Sequence, residues 1–372
     1  MIQVAHDPVP VASGIVCPQP LAASADRALA ALAELAPDRP ALRANPGRYY
    51  LTERAAITGN RHGGAVSPGG SCHLLPAADG RLAVNLPRSD DWELLPAWLE
   101  SDDVEGWAGV ARAVAGRSAA DLVERARLLG LAVAEAGPPR TEPVPWFSVI
   151  ATGETAPPGE APLVVDLSSL WAGPLCGRLL ADAGAEVVKV ESTARPDGAR
   201  FGPPEFYERQ NAAKSLLTLD LRTEAGVAEL TALLRRADIV IEASRPRALR
   251  QMGIDAEALL RERPGLVWVS ITGYGREEPE GQWIAYGDDA AVAAGLSWVL
   301  HAATGEWMIA GDAIADPLTG LHAAWAAWRA YRRGGGQLLS IALCDVVTHA
   351  LQASGPLNAE SIQRPSARWI PC

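Results

Sequence analysis

The sequence predicts an α/β protein with a Rossmann-like large domain, built on a doubly wound parallel sheet, and a second, smaller α/β domain. From residue 163 onward, strand-type and helix-type segments alternate, as in APLVVDLSS, GPLCGRLLADAG and AEVVKVES. The strand-type runs are almost continuously apolar, as expected when helices cover both faces of a parallel sheet. This alternation is the pattern of a doubly wound fold.

Composition sets the first limits on function. The 372 residues suffice for two domains, and 48% hydrophobic with 21% charged residues is typical of a globular protein. A formal net charge of −11 argues against nucleic acid as a partner. The five cysteines are scattered without a C-x-x-C pair, which predicts neither a disulfide framework nor a metal cluster.

The sequence shows no secretory signal pattern, and no apolar run reaches the roughly 18 residues that a membrane span requires. We therefore expect a cytoplasmic protein with no membrane partner. Residues 136–162 are rich in proline and glycine, which predicts a linker between two unlike halves. The predicted domains are a small α/β domain over residues 1–150 and the Rossmann-like domain over residues 160–372.

In the first half, the Ala- and Leu-rich residues 22–36 predict a helix, and the glycine-rich TGNRHGGAVSPGGS follows. GRLAVNL has the pattern of a strand. Residues 92–99 and 118–129 predict two more helices, the second with Ser118 in position to cap it.

The first strand of the second half runs into a corner at Ala172-Gly173-Pro174 that opens a helix. Its free N–H groups are a possible phosphate seat, although an ordinary tight turn has the same sequence. Gly173 and Gly177 do not complete a G-x-G-x-x-G pattern, which argues against a nicotinamide dinucleotide. Later segments continue the alternation: KSLLTLDL, TEAGVAELTALLRRA, DIVIEAS and GLVWVSITGYG.

Asp316 precedes a proline and an apolar helical run in GDAIADPLTGLHAAWAAW. It could cap the helix, with Pro317 suited to the first turn. A helix N-terminus also favours the ionised carboxylate, so the same residue could act as a nucleophile. The local sequence leaves both readings open, and Asp312 is a rival acid four residues earlier.

Five segments occur in an order that resembles the class III CoA-transferase family over residues 163–350: VVDLSSLWAGPLCGRLLADAGAEVVKVE, NAAKSLLTLDLRTEAG, ADIVIEASRP, GIDAEALLRERPGLVWVSITGYG and DPLTGLHAA. The resemblance implies acyl-CoA and a small carboxylic acid as partners, with coenzyme A a substrate and no resident cofactor. It also implies a homodimer with interlocked chains.

The resemblance assigns the nucleophile to Asp316, which matches the aspartate of the family's D-x-x-T-G segment. In the family's transferases this aspartate attacks the acyl-CoA carbonyl to form a mixed anhydride. Asp288 and Asp289 stand where the transferases carry an acid and the racemases a histidine, which favours acyl transfer over racemisation. Helix capping is the alternative for either of these two acids.

The resemblance also places coenzyme A along the first strand-helix corner. Its candidate contacts are Ser169, Leu170, Trp171, Ala172 and, near the nucleotide, Lys214. Positions at which the family often carries arginine hold Ser192 and Gln251 in this chain. Arginines that lie nearby in the sequence could take over this role: Arg195, Arg245, Arg247 and Arg250.

The first half resembles the small domain that normally follows the large one in this family, so the order of the parts is reversed. Its glycines, Gly63, Gly64, Gly69 and Gly70, would form the mobile loop that closes over the bound intermediate, or an ordinary flexible connection. Two other functions stay open: a catalytically silent acyl-CoA-binding protein or partner subunit, and an acyl-CoA racemase or isomerase of the same family.

Overall fold

A computed structural model describes residues 16–61 and 63–353 of the chain. The helices are α1 (Gln19–Leu35), α2 (Gly47–Tyr50), α3 (Glu53–Thr58), α4 (Ser89–Glu93), α5 (Leu95–Leu99), α6 (Gly106–Ala115), α7 (Ala119–Leu129), α8 (Ala172–Asp182), α9 (Pro204–Asn211), α10 (Glu224–Leu234), α11 (Pro246–Gln251), α12 (Ala256–Glu262), α13 (Gly287–Ala293), α14 (Leu296–Thr304), α15 (Ala315–Arg332) and α16 (Leu343–Gln352). The strands are β1 (Cys72–Pro76), β2 (Arg81–Asn85), β3 (Ala132–Glu135), β4 (Ser148–Thr152), β5 (Leu163–Asp166), β6 (Glu186–Ser192), β7 (Ser215–Leu219), β8 (Ile239–Glu242), β9 (Val267–Thr272) and β10 (Gln337–Ala342).

The large sheet has the order β4-β10-β9-β8-β5-β6-β7 and is parallel except for β4, which runs antiparallel at one edge. Without β4, this is the strand order 3-2-1-4-5-6 of dinucleotide-binding folds. The order reverses between β5 and β8, so a crevice is expected at their carboxyl ends, beside Asp166 and Glu242. The predicted fold class is confirmed.

Helices α8 and α15 pack closely against each other on one side of this sheet. At their crossing a Cβ on Gly320 would lie 2.7 Å from the carbonyl oxygen of Ala172. A Cβ on Gly173 would lie 2.1 Å from the Cβ of Ser168. Only glycine therefore allows the N-terminus of α8 to lie so close to both the end of β5 and α15.

The small sheet is antiparallel in the order β1-β2-β3. One face is covered by helices α5, α6 and α7, through a core that includes Leu82, Trp98 and Val110. On the other face, Leu74 packs in a cluster with Val292 of α13. The small sheet is thus held directly against the helices that lead to the candidate site.

The hydrophobic cores do not follow the predicted division at residue 150. Helix α1 packs against α15, and its Leu21 and Leu32 belong to the core of the large domain. The predicted linker 136–162 contains β4, and its Trp146 stacks on Trp325 of α15 at 5.1 Å between ring centroids. The predicted division is therefore wrong: segments that precede and follow the small sheet in the sequence both complete the large domain. Helix α1 does so because α15 covers its apolar face.

Local predictions in the first half are mostly confirmed, with two corrections. The helix expected over residues 92–99 is two short helices, α4 and α5, which meet at Leu94. Ser118 precedes α7 as expected, but Asp79 supplies the cap, since Ala119 N donates to its Oδ1 at 2.7 Å. Within the described residues, no helix is both long and apolar enough to cross a membrane.

Candidate active site

Asp316 is the second residue of α15, and the residue before the helix, Ile314, makes no side-chain cap. The capping interpretation of Asp316 is therefore wrong: its own N–H donates to the carbonyl of Ala313 at 2.9 Å. Its carboxylate instead accepts a hydrogen bond from the backbone N–H of Gly287, the first residue of α13. A Cβ on Gly287 would lie 2.8 Å from Asp316 Oδ2, so glycine lets the two helix N-termini meet.

Two further carboxylates and one guanidinium surround this point, and we call Asp288, Asp312 and Asp316 the acid cluster. Asp288 accepts a hydrogen bond from Ala313 N at 2.8 Å. Asp312 forms a bidentate pair with Arg54, with distances of 2.8 Å from Nε and 2.5 Å from Nη2. Asp288 and Asp312 are buried, whereas Asp316 keeps partial exposure, so Asp316 is the carboxylate of the cluster that a ligand can reach.

Burial controls the ionisation of this cluster. Loss of solvent raises the pKa of Asp316 to about 7, with Arg54 opposing the shift and Asp288 adding to it. Burial likewise raises the pKa of Asp288 to about 6, again against the effect of Arg54. The pKa of Asp316 therefore lies near neutral pH, where both its protonated and its ionised form are accessible.

Asp289 faces a different direction from its neighbour Asp288. Its Oδ1 accepts from the backbone N–H of Tyr286 at 2.9 Å and from Asn85 Nδ2, on strand β2, at 2.8 Å. Burial raises its pKa to about 7. Asp289 thus caps α13 and links this helix to the small sheet, which is the capping alternative that the sequence left open.

The glycine-rich segment reaches the acid cluster. The carbonyl of Gly64 accepts a hydrogen bond from Ile309 N at 2.9 Å, and Ser67 bonds to the carboxyl of Asp288 through its side chain. Gly64 and Gly70 have positive φ values of 67° and 77°. The segment therefore lies near the site, while its closure over a bound intermediate stays a prediction. Ser67 is a contact that the sequence did not indicate.

The corner after β5 lies beside the cluster. Ser169 and Leu170 are exposed, and Leu170 has a left-handed φ of 70°. Trp171 is buried at the N-terminus of α8, followed by the buried Ala172, and the guanidinium of Arg54 lies 4.9 Å from the centroid of a Trp171 ring. The structure thus brings the predicted coenzyme A corner and the predicted nucleophile together through Arg54.

Lys214 does not present a free ammonium to this corner. Its Nζ donates to Asp166 Oδ2 at 2.8 Å, to the carbonyl of Pro174 at 2.8 Å and to Asn211 Oδ1 at 3.0 Å. An ammonium has three N–H donors, and these contacts use all of them. The expectation that Lys214 contacts the nucleotide is therefore corrected: it neutralises the buried carboxylate at the end of β5.

Other arginines gather at the carboxyl edge of the sheet. Arg195 follows β6 and Arg245 follows β8. Burial lowers the pKa of Arg245, and Arg247, Arg195 and Arg88 lower it further by charge repulsion. In the described part of the chain, Arg195, Arg245 and Arg247 lack a carboxylate partner, whereas Arg250 pairs with Glu257 at 3.2 Å.

The fold and the site together define an α/β protein with a reachable, weakly acidic carboxyl beside the crevice of a Rossmann-type sheet. The chain belongs to CoA-transferase family III, whose model matches residues 162–366. The resemblance indicated by the five sequence segments is therefore confirmed.

Named relatives show how much of the chain is shared. It is 34% identical over 229 residues to a succinate–glutarate CoA-transferase of Agrobacterium fabrum, which covers 57% of each chain. It is 30% identical over 204 residues to a succinyl-CoA–D-citramalate CoA-transferase of Chloroflexus aurantiacus, covering 52% of this chain and 51% of that one. A solved CaiB/BaiF family protein from Brucella suis is 31% identical over 56% of this chain and 58% of its own, with a TM-score of 0.48. The chain spans about half the length of the curated relatives it matches.

Proposed function

We propose that this chain is an acyl-CoA:carboxylate CoA-transferase in which the carboxylate of Asp316 is the nucleophile. The observation that carries the proposal is the partial exposure of Asp316 at a helix N-terminus, next to two buried acids that are already held by other groups. Family membership supports the reaction class.

The proposed chemistry has two exchanges. The Asp316 carboxylate attacks the thioester carbonyl of the donor and the C–S bond breaks. The CoA thiolate departs, and an aspartyl-acyl anhydride forms. The thiolate then attacks the aspartyl carbonyl, which releases the donor acid and leaves an aspartyl-CoA thioester. The acceptor carboxylate repeats these steps in reverse, so that the acceptor leaves as its CoA thioester and Asp316 is regenerated.

The pKa of about 7 at Asp316 fits this role. A carboxylate with a raised pKa is more basic than an ordinary one, and enough of it is ionised at neutral pH to react. Its place in the first turn of α15 also lets the helix dipole stabilise the ionised form. Transfer should accordingly decline as the pH falls through about 7.

For coenzyme A, we propose that the chain from Ser169 to Ala172 lies along the ligand and that Arg195, Arg245 and Arg247 face its phosphates. Guanidinium groups without a carboxylate partner, at the edge where Rossmann-type folds bind ligands, suit phosphate oxygens. This assignment replaces the one to Lys214.

Small carboxylic acids are the proposed acceptors, and dicarboxylic acids come first because two relatives are named for succinate, glutarate and D-citramalate. We also propose that the chain acts as a homodimer in the cytoplasm, which light scattering of the purified protein and fractionation of cells would test.

The covalent intermediate gives the decisive experiment. The protein is incubated with succinyl-CoA, quenched with hydroxylamine, and digested for mass spectrometry. An aspartyl hydroxamate on the peptide that carries Asp316 is expected in the wild type and not in Asp316→Asn. Asp345→Asn, at a surface acid paired with Arg140, is the control and should still be labelled.

The alternatives predict other results. Binding of coenzyme A without labelling or exchange would identify a silent binding protein. Solvent deuterium incorporated next to the carbonyl of a 2-methylacyl-CoA, without label on Asp316, would identify a racemase.

A further inference from the structure

We propose that Arg54 is a positioning residue of this site: its guanidinium fixes the loop that leads into Asp316 and supplies the positive charge against which the acid cluster ionises. The inference rests on the proposed function only in giving Asp316 the reacting role. Arg54 lies on α3, 258 residues before its partner Asp312.

The geometry of the pair is that of a fork. Two nitrogens of Arg54 donate to the two oxygens of Asp312, whose side chain is fully buried. Asp312 belongs to the turn that precedes α15, where Gly311 has a φ of 72° and Ala313 a φ of 53°. Left-handed backbone at Ala313 is unfavourable for a residue with a side chain, so the surroundings must hold it there.

Among the described residues, three polar contacts from other segments hold this turn. Gly311 N donates to the carbonyl of Val16 at 2.7 Å, Ala313 N donates to Asp288, and Asp312 is held by Arg54. Of these three contacts, the one made by Arg54 can be removed by a substitution that changes neither a backbone group nor an acid of the cluster. Its loss should release the turn on the side that precedes Asp316.

The same guanidinium connects the turn to the coenzyme A corner. It lies over Trp171, whose ring in turn packs edge-on against Phe206 at 5.1 Å between centroids. A cation over an indole is attracted to its face, and more so when both are shielded from water. Arg54 therefore sets the distance between the corner and the acid cluster.

The balance of charge at the site is unfavourable without Arg54. Asp288 and Asp312 repel the charge of Asp316, and Asp289 is the next residue to Asp288 on α13, with its carboxyl turned to Asn85. The buried thiol of Cys72 lies near Asp288, and the neutral donors are Ser67 and the N–H groups of Gly287 and Ala313. Among the described residues, Arg54 is the cation that lowers the pKa of both Asp288 and Asp316. Without Arg54, burial and the mutual repulsion of the carboxylates would raise these two pKa values unopposed.

A matched control lies on the neighbouring residue. Glu53, next to Arg54 on α3, is buried and pairs with Arg178 of α8 at 3.0 Å. Both pairs therefore join α3 to the large domain through one guanidinium and one buried carboxylate. Arg178 is not among the principal groups that shift the pKa of Asp316, so its loss should weaken the fold without changing the ionisation of the site.

The test compares Arg54→Met, Arg54→Lys and Arg178→Met in the full chain. We expect Arg54→Met to move the acidic limb of the kcat/KM profile upward by about one pH unit or more, as for loss of an opposite charge near a carboxylate. Arg54→Lys keeps the positive charge but loses the bidentate contact, so its acidic limb should lie close to that of the wild type. Arg178→Met should lower the melting temperature and leave the limb in place.

A second measurement does not need turnover. Protein labelled with ¹³C at the aspartate carboxyl carbon is titrated by NMR, and the signal of Asp316 is assigned by its loss in Asp316→Asn. An upward shift of that titration in Arg54→Met supports the inference even if the wild type shows no transfer, in which case only the proposed function fails.

An unmoved titration and an unmoved limb in a folded Arg54→Met protein would overturn the inference. So would an equal shift in Arg178→Met, since that would identify a general effect of loosening α3. Should Arg54→Met not fold, Arg54→Lys decides: its limb must lie at or only slightly above that of the wild type, while kcat falls because the turn is released.

Discussion

Asp316→Asn should make the protein more stable at neutral pH while abolishing transfer. The asparagine has nearly the same shape, and its oxygen can still accept the hydrogen bond from Gly287 N. What it removes is a charge that burial opposes. The expected gain therefore measures how strongly the fold disfavours the ionised nucleophile.

The size of the effect follows from the pKa. Burial raises the pKa of Asp316 from 3.8 to about 7, and each unit corresponds to about 1.36 kcal/mol, which sets an upper limit of roughly 4 kcal/mol. Because Asp316 keeps partial exposure, water screens part of this cost, and we expect a measured gain of about 1–3 kcal/mol.

The pH dependence has a definite sign. Between the two pKa values the folded protein binds more protons at Asp316 than the unfolded chain does, so its stability falls as the pH rises. The asparagine variant lacks this pH-dependent loss of stability, because its side chain does not ionise. The difference in the free energy of unfolding should be greatest above about pH 7 and shrink toward zero near pH 4.

Urea denaturation of both proteins at several pH values measures this difference. Asp220→Asn is the control with the opposite sign, because Arg222 lowers the pKa of Asp220 to about 2 and its carboxylate stabilises the fold when ionised. If Asp316→Asn is no more stable than the wild type at pH 8, or gains equally at pH 8 and pH 5, the account of a buried, costly nucleophile is wrong.

Two further predictions concern the corner and the arginines. Gly173→Ala should destabilise the fold by about 3 kcal/mol in denaturant unfolding, because the new methyl group meets the side chain of Ser168, whereas Gly116→Ala, with no neighbouring atom within 4 Å, should change stability little. Arg245→Ala should weaken coenzyme A binding about tenfold in calorimetry and make that binding less dependent on salt. Arg222→Ala, at an exposed arginine, is the control and should change neither. Equal affinity of the two variants would show that the phosphates do not bind at Arg245.

The sequence by itself determined the fold class and the position of the predicted nucleophile. Strands buried on both faces must be apolar throughout, so their alternation with helices can be read without coordinates. Gly173 and Gly320 are likewise visible in the sequence, although only the structure shows that they allow α8 to approach β5 and α15.

The tertiary structure alone decided how charges pair and which acid can be reached. Asp288 and Asp289 are adjacent and identical in type, yet one joins the acid cluster and the other binds Asn85 of the small sheet. Lys214 has the sequence signature of a solvated or ligand-binding lysine, but a buried carboxylate needs a counter-charge and Asp166 takes it.

The same limit applies to Arg54 and to the domain division. No local pattern in the sequence around Arg54 indicates a partner 258 residues away. Residues 136–162 have the composition of a linker, but β4 within them pairs with β10. Propensity and periodicity are properties of neighbouring residues, whereas burial and charge pairing depend on which distant segments pack together, and that packing is fixed only when the whole chain folds.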